Sequence, residues 1–376
     1  MNQNVTLIAT AAMGLESIVA NEVKALGYDV SVENGKVVFD APVSAIPRCN
    51  LWLRSADRIR VLVGQFTAKT FDQLFESTKA LPWEDYIGED GKFPVSGKSQ
   101  KSTLYSVPDC QAIVKKSIAE RLKLKFGLAS DLPEDGPLYK VEVALNKDIV
   151  TLTLDSSGAG LHKRGYRVGQ GEAPLKETMA AALIMLTNWK PEYPLIDPFC
   201  GSGTIPIEAA LIGQNIAPGF NREFASEEWK FIKQKYWDQA FEEAEDQANY
   251  DQKLDITGSD IDQNMTKIAI DNAKEAGLGD LIEWKQMQVK DLFIRKNNGY
   301  IIGNPPYGQR LGDKEEIAKM YKDFGTIMKD NPSWSVYIMT AFEQFEQQYG
   351  QKATKKRKLF NGFIQTNYYQ YFGRHI

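Results

Sequence analysis

The chain has 376 residues, which suggests two or three domains. Its 43% hydrophobic and 25% charged residues are a soluble globular balance, and no apolar run approaches the ~20 residues that a membrane span needs. A net charge of −4 argues weakly against a nucleic-acid binder. Three cysteines (Cys49, Cys110, Cys200) and two histidines (His162, His375) show no paired spacing, so neither a disulfide framework nor a structural zinc site is expected. Met1-Asn2-Gln3-Asn4 lacks the basic start of a signal peptide, and the expected compartment is the cytoplasm.

In chain order, Val5 to Thr10 reads as a strand. Gly14 to Leu26 reads as a helix, because apolar residues recur at 15, 18, 19, 23 and 26. Gly27 stops it, as a glycine just past a helix end does. Val30 to Val32 and Lys36 to Phe39 flank Asn34-Gly35, a favoured dipeptide of tight hairpins. Ser44 to Ser55 is expected to be a helix and Arg58 to Phe66 a strand. This order suggests a small ferredoxin-like α+β domain over residues 1–65.

Thr70 to Lys79 reads as a helix, Phe93 to Val95 as a short strand and Thr103 to Ser106 as extended chain. Pro108-Asp109 opens a helix to Leu124, with Asp109 at its cap or at its positive end. Leu138 to Leu145 and Ile149 to Asp155 alternate as the strands of a hairpin do. From Lys92 to Lys125 there are eight basic residues against two acids, and local patches govern contact with phosphate. The element order and charge of residues 66–155 resemble a THUMP domain, an RNA-binding module. That resemblance makes Lys98, Lys101, Lys115, Lys116, Lys123 and Lys125 candidate RNA contacts; a solvated helix face is the alternative.

Residues 156–172 form a Gly-punctuated basic linker with Lys163, Arg164 and Arg167. A helix follows, with Pro174 in its first turn, where a missing N–H costs nothing. Leu195-Ile196-Asp197 then reads as a strand ending in an acid, followed by a turn with Gly201 and Gly203 and a helix from Ile205. Strand, Gly turn and helix make the ligand-binding unit of doubly wound sheets. Pro206 stands where a dinucleotide fingerprint needs its third glycine, and the Gly-Lys-Ser/Thr of a P-loop is absent.

Residues 215–253 are an acid-rich insertion carrying Trp229, Phe231, Tyr236, Trp237 and Phe241. It is expected to form one or two amphipathic helices that either cover the site or simply pack. Leu254 to Asp262 is the next strand, ending in acids, then a helix from Gln263 to Ala276 and a strand from Ile282 to Gln286. Tyr300 to Ile302 runs into Asn304-Pro305-Pro306-Tyr307-Gly308. A helix (Lys314 to Lys329), a strand (Trp334 to Thr340), a basic connection (Gln351 to Lys358) and a terminal strand pair (Leu359 to Tyr371) complete the chain.

Asp-Pro-Phe-Cys-Gly-Ser-Gly-Thr at 197–204 resembles motif I of class I S-adenosylmethionine (SAM) methyltransferases. Asn-Pro-Pro-Tyr at 304–307 resembles motif IV of those that act on exocyclic amines of nucleobases or on amide nitrogens. Leu-His-Lys-Arg-Gly-Tyr-Arg at 161–167, followed by Ala-Pro-Leu-Lys-Glu-Thr at 173–178, resembles the bacterial THUMP-methyltransferases that modify guanine N2 in 23S ribosomal RNA. The resemblance covers essentially the whole chain. It implies a Rossmann-like class I methyltransferase sheet with a reversed terminal strand over residues 173–376, SAM as cofactor, RNA as partner, and neither metal nor membrane.

The same resemblance implies a cofactor site of Pro174, Lys176, Glu177, Asp197, Phe199, Cys200, Gly201, Gly203, Thr204, Asp260, Ile261 and Asp291. Asp260 is expected to accept the ribose hydroxyls and Asp291 the adenine amine. The Asn304 amide oxygen and the Pro305 carbonyl are expected to accept the two N–H groups of the reactive amine, Pro306 to stiffen the turn and Tyr307 to stack on the base. Lys163, Arg164 and Arg167 join the RNA contacts. Two alternatives are a DNA adenine-N6 methyltransferase and a THUMP RNA-binding protein with an inactive methyltransferase half; a nicotinamide oxidoreductase fails on the missing third glycine and on Asn-Pro-Pro-Tyr.

Overall fold

The computed structural model describes residues 4–171, 174–307 and 313–374; Ala173, Gly308 and His375 lie outside them. The chain divides into two compact units. One holds the segment ending at Ala11, Val19–Leu161 and Arg222–Ala244; the other holds Ala12–Ile18, His162–Asn221 and the chain from Glu245.

The first unit is built on strands β1 (Asn4–Thr10), β2 (Ser31–Glu33), β3 (Lys36–Pro42), β4 (Arg58–Thr67), β5 (Val95–Gln100), β6 (Val141–Asn146) and β7 (Ile149–Asp155). They form one sheet in the order β2-β3-β1-β4-β7-β6-β5. Helices α1 (Glu16–Ala25), α2 (Ala45–Trp52), α3 (Phe71–Ala80) and α4 (Val107–Phe126) accompany them. β4 pairs with β1 on one side and β7 on the other, so the ferredoxin-like and THUMP parts share a sheet.

In α4, Cys110, Val114, Ile118 and Leu122 recur every four residues and are buried, and Gly127 ends the helix at φ +67°. Lys147 and Asp148 take positive φ between β6 and β7, as a tight I′ hairpin turn requires. The strand expected at Phe93 starts at Val95 and runs to Gln100, while Thr103 to Ser106 joins no strand. Ser106 takes the N-cap position, which leaves Asp109 in the positive first turn of α4.

The aromatic insertion packs rather than dangles. Trp229 stacks on Tyr139 with centroids 5.2 Å apart and donates its indole N–H to the Leu138 carbonyl at 2.8 Å. Phe231 meets Tyr86 edge-on, Lys230 pairs with Asp90 at 2.6 Å, and Glu243 takes a forked contact from Arg48 at 2.7–3.0 Å. Segment 222–244 is therefore part of the first unit, although the chain reaches it after motif I.

The second unit contains helices α5 (Glu177–Met185) and α6 (Thr204–Gly213), with strand β8 (Leu195–Asp197) between them. After α7 (Gln234–Gln247) come β9 (Ile256–Asp260), α8 (Gln263–Glu275), β10 (Ile282–Gln286), β11 (Tyr300–Gly303), α9 (Asp313–Lys329), β12 (Ser335–Thr340), α10 (Phe345–Tyr349), β13 (Lys355–Asn361) and β14 (Ile364–Tyr371). The sheet order is β10-β9-β8-β11-β12-β14-β13. The first five strands are parallel and β14 runs antiparallel to both neighbours. Successive strands leave β8 in opposite directions, so β8 and β11 flank the switch point where ligands of such sheets bind. The basic run expected as a connection is itself the edge strand β13, whose charges discourage further strand pairing.

Candidate active site

The carboxyl ends of β8, β9 and β11 converge on two adjoining cavities of about 710 and 210 Å³. Phe199, Gly201, Met265 and Asn304 line both. Asp197, Pro174, Cys200 and Thr204 line the smaller; Asp260, Ile261 and Pro306 line the larger.

The turn after β8 is held by its own acids. Asp197, which is buried, accepts the Phe199 N–H at 3.0 Å. Burial drives its carboxyl well above the ordinary range, and the nearby Asp260 charge adds to this. Asp260 accepts the Gly201 N–H at 2.9 Å on one oxygen and the Asp262 N–H at 2.9 Å on the other. Each carboxylate oxygen keeps a second lone pair for a ligand. Burial also pushes the Cys200 thiol well up, which keeps it protonated and inert as a nucleophile.

The two glycines differ. A Cβ on Gly201 (φ +50°) would meet nothing within 4 Å, so the backbone here faces open space. A Cβ on Gly203 (φ +86°) would lie 2.7 Å from the Trp284 ring and 2.9 Å from the Ala269 methyl. Gly203 therefore permits close packing of the α6 start against β10 and α8, and Gly201 is the one that leaves room for a ligand.

At the end of β11, the Tyr307 hydroxyl donates to Asn304 Oδ1 at 2.6 Å and accepts from the Asn361 amide at 3.2 Å. Burial pushes the Tyr307 phenol up to about 12, so it remains a donor. Tyr307 thus orients the Asn304 amide and holds one lone pair of its oxygen; the second lone pair stays available.

The linker is an internal strut. Arg164 is 3% exposed and pairs with Glu208 of α6 at 3.4 Å, with Tyr166 donating to the same carboxylate at 3.0 Å. Its burial corrects the expectation of an RNA contact. Arg167 donates to Glu177 at 2.7 Å, to Ser202 Oγ at 3.1 Å, and to Thr204 Oγ1 and the Leu175 carbonyl at 3.0 Å each. It too faces inward, clamping the motif I turn to the start of α5. Glu177 is buried in that pair and, with Lys176 and Lys163, lines a third cavity of about 440 Å³ that shares Pro174 and Leu175 with the smaller one. Asp291 is exposed and does not line the larger cavity; Met287, Gln288, Val289 and Lys290 do so in its place.

Sequence reasoning missed Asn272 of α8. Buried, it donates to the Gly169 and Ser202 carbonyls (3.0 and 2.9 Å) and accepts from Val168 N–H at 2.9 Å. It also missed Ile317, Lys319, Met320 and Asp323, a face of α9 lining the larger cavity. No local motif marks either group.

The basic stretch of the first unit is largely neutralised from elsewhere. Lys115 pairs with Glu134 and lies 3.6 Å from the Phe93 ring centroid. Lys123 meets Asp131 at 2.5 Å, Lys125 meets Glu84 at 3.5 Å and Lys98 meets Glu142 at 3.0 Å. Lys116 reaches Glu120 only at 4.0 Å with 71% of its side chain exposed, and Lys101 is exposed.

A parallel sheet with one reversed strand, a glycine turn at its switch point, an acid on the adjoining strand and Asn-Pro-Pro-Tyr on the other side together define a class I methyltransferase domain. Residues 164–370 match the RMKL-like methyltransferase domain, and the chain belongs to that family. Residues 6–60 match the RlmL ferredoxin-like domain and 68–155 the THUMP domain. The chain is 62% identical over 370 residues to YpsC of Bacillus subtilis, provisionally named an RNA methyltransferase (98% of this chain, 96% of that one). It is 31% identical over 379 residues to ribosomal RNA large subunit methyltransferase K/L of Syntrophotalea carbinolica, covering 97% of this chain but 53% of that one. Among solved structures, a protein of Listeria monocytogenes predicted to be an N6-adenine-specific DNA methylase superposes with a TM-score of 0.96 at 60% identity (99% and 97% of the two chains). SMU.472, provisionally a methyltransferase and solved with S-adenosylhomocysteine (SAH), superposes at 0.96 with 47% identity over the whole of both chains.

Proposed function

We propose that this protein uses SAM to methylate an exocyclic amine of RNA, specifically N2 of a guanine in 23S ribosomal RNA. The observation that carries the reading is Asn304, whose amide borders both cavities beside Gly201, with Asp260 on the wall of the larger one. The open side of Gly201, the Asp260 carboxylate and the apolar Ile261, Met265, Met287 and Val289 fit a nucleoside carrying an amino-acid arm. SAM supplies an electrophilic methyl group.

The chain's own work is to hold the amine. Its lone pair is conjugated with the ring and nucleophilic only when the nitrogen is drawn towards tetrahedral geometry. The free lone pair of Asn304 Oδ1 and the Pro305 carbonyl accept its two N–H bonds and aim it, a positioning effect of the kind that supplies much of an enzyme's acceleration. A THUMP domain and relatives named for RNA methylation support RNA as the substrate. The name of the Listeria structure favours a second reading, adenine N6 in DNA, because the same acceptors serve that amine.

One experiment separates them. The full chain is incubated with methyl-labelled SAM and either unmodified 23S transcript or duplex DNA, and the product is digested to nucleosides. N2-methylguanosine from RNA is the expected product; N6-methyladenine, or no transfer to RNA, refutes the reading.

A further inference from the structure

The β13–β14 hairpin closes on a two-residue turn, since Asn361 pairs with Ile364. Gly362 supplies the positive φ (+62°) that the first central position of such a turn demands. Phe363 takes no positive φ, so the turn is type II′ and its second position makes no such demand; yet it carries this fully exposed phenylalanine. A fully wetted aromatic at a hairpin tip gives the fold nothing.

Its location gives it a use. Asn361, two residues away, donates to the Tyr307 hydroxyl, which in turn donates to Asn304. The hairpin tip is thus tied by side chains to the group that accepts the reactive amine. The strand leading to it carries four bases. Arg357 is engaged with the Gly14 carbonyl and Ser17, and Lys356 with Glu346. Lys355 and Lys358 are exposed and, among the described residues, have no carboxylate within ion-pair distance; Lys358 lies 5.5 Å from the Phe360 ring centroid.

We propose that Phe363 is a stacking wedge for RNA: it packs against the nucleobase next to the target while Lys355 and Lys358 hold phosphates of the same strand. This rests on the RNA-methylation reading. A stacked base keeps its amine out of reach of Asn304, so the target must leave its stack. An aromatic face takes up the exposed neighbour whatever its identity, because every base has a π-face.

Full-length Phe363→Ala and Phe363→Trp are compared with wild type on unmodified 23S transcript. Phe363→Ala should raise the KM for RNA about tenfold, the order expected for one lost base–aromatic stack, with kcat, SAH affinity and melting temperature unchanged. Phe363→Trp should retain activity, and emission from the introduced indole should be quenched as RNA is added. Lys355→Gln/Lys358→Gln should reduce the slope of log affinity against log salt by about 1.4, from about 0.7 per single-strand phosphate contact. A wild-type KM in Phe363→Ala, or indole emission unmoved by saturating RNA, overturns the wedge. If wild type transfers no methyl group to RNA, the RNA-methylation reading falls and the wedge, which rests on it, falls with it; a wild-type KM in Phe363→Ala with transfer intact overturns the wedge alone.

Discussion

Arg167 offers the sharpest test of how the turn after β8 is held. Arg167→Met keeps the length of the stem and removes every donor, which severs the contacts to Glu177, Ser202, Thr204 and Leu175 together. The dominant cost is at Glu177, whose side chain is 4% exposed and would lose its guanidinium. Removing one partner of a buried ion pair costs about 3–5 kcal/mol. Arg167 itself is 16% exposed, so water reaches it, and the lower figure of about 3 kcal/mol applies. For a unit of this size 1 kcal/mol moves the melting temperature by about 2–4 °C. A drop of about 6–12 °C in the transition of the second unit is expected by circular dichroism, with weaker SAH binding by calorimetry. Neutralising the stranded acid in Arg167→Met/Glu177→Gln should recover most of the loss. A single variant that melts within about 2 °C of wild type, or a double variant no more stable than the single, refutes the argument.

Other outcomes follow from the same geometry. Asn304→Ala should lower kcat about 100-fold or more, as loss of a group acting on the transition state does, with SAH affinity unchanged by calorimetry; near-wild-type kcat would sink the proposed mechanism. Gly203→Val should lose stability, by about 1–3 kcal/mol, because its Cβ runs into Trp284 and Ala269 rather than into ligand space. Gly201→Val projects into the open side of the turn and should weaken SAH binding more than it lowers the melting temperature; equal SAH affinity in the folded variant would remove Gly201 from the ligand site. Replacing Lys115, Lys116, Lys123 and Lys125 by Gln should flatten the salt dependence of RNA binding by about 0.7 rather than the roughly 2.8 of four free lysines, because acids hold three of them. Filter binding at two salt concentrations distinguishes the two slopes.

What the sequence by itself determined is local. Alternation in Ile149 to Asp155, four-residue recurrence in α4, the positive-φ glycines of the motif I turn and the asparagine after β11 are set by side-chain periodicity and backbone sterics over a few residues. These can be read without knowing where the rest of the chain goes. Tertiary structure decided what each charge and ring is for. Arg164 and Arg167 look like solvated linker bases until Glu208 and Glu177 come up against them. The lysines of α4 look like a positive patch until Glu84, Asp131 and Glu134 fold beside them. The aromatics of 222–244 look like a cover for the site until Tyr139 and Tyr86 are seen to meet them in the first unit. Tyr307 is tied through its hydroxyl to Asn304 and to Asn361, 54 residues on, a link that no local pattern announces. A side chain's charge is written in its own codon, but its partner is chosen by burial, which no short window of sequence contains.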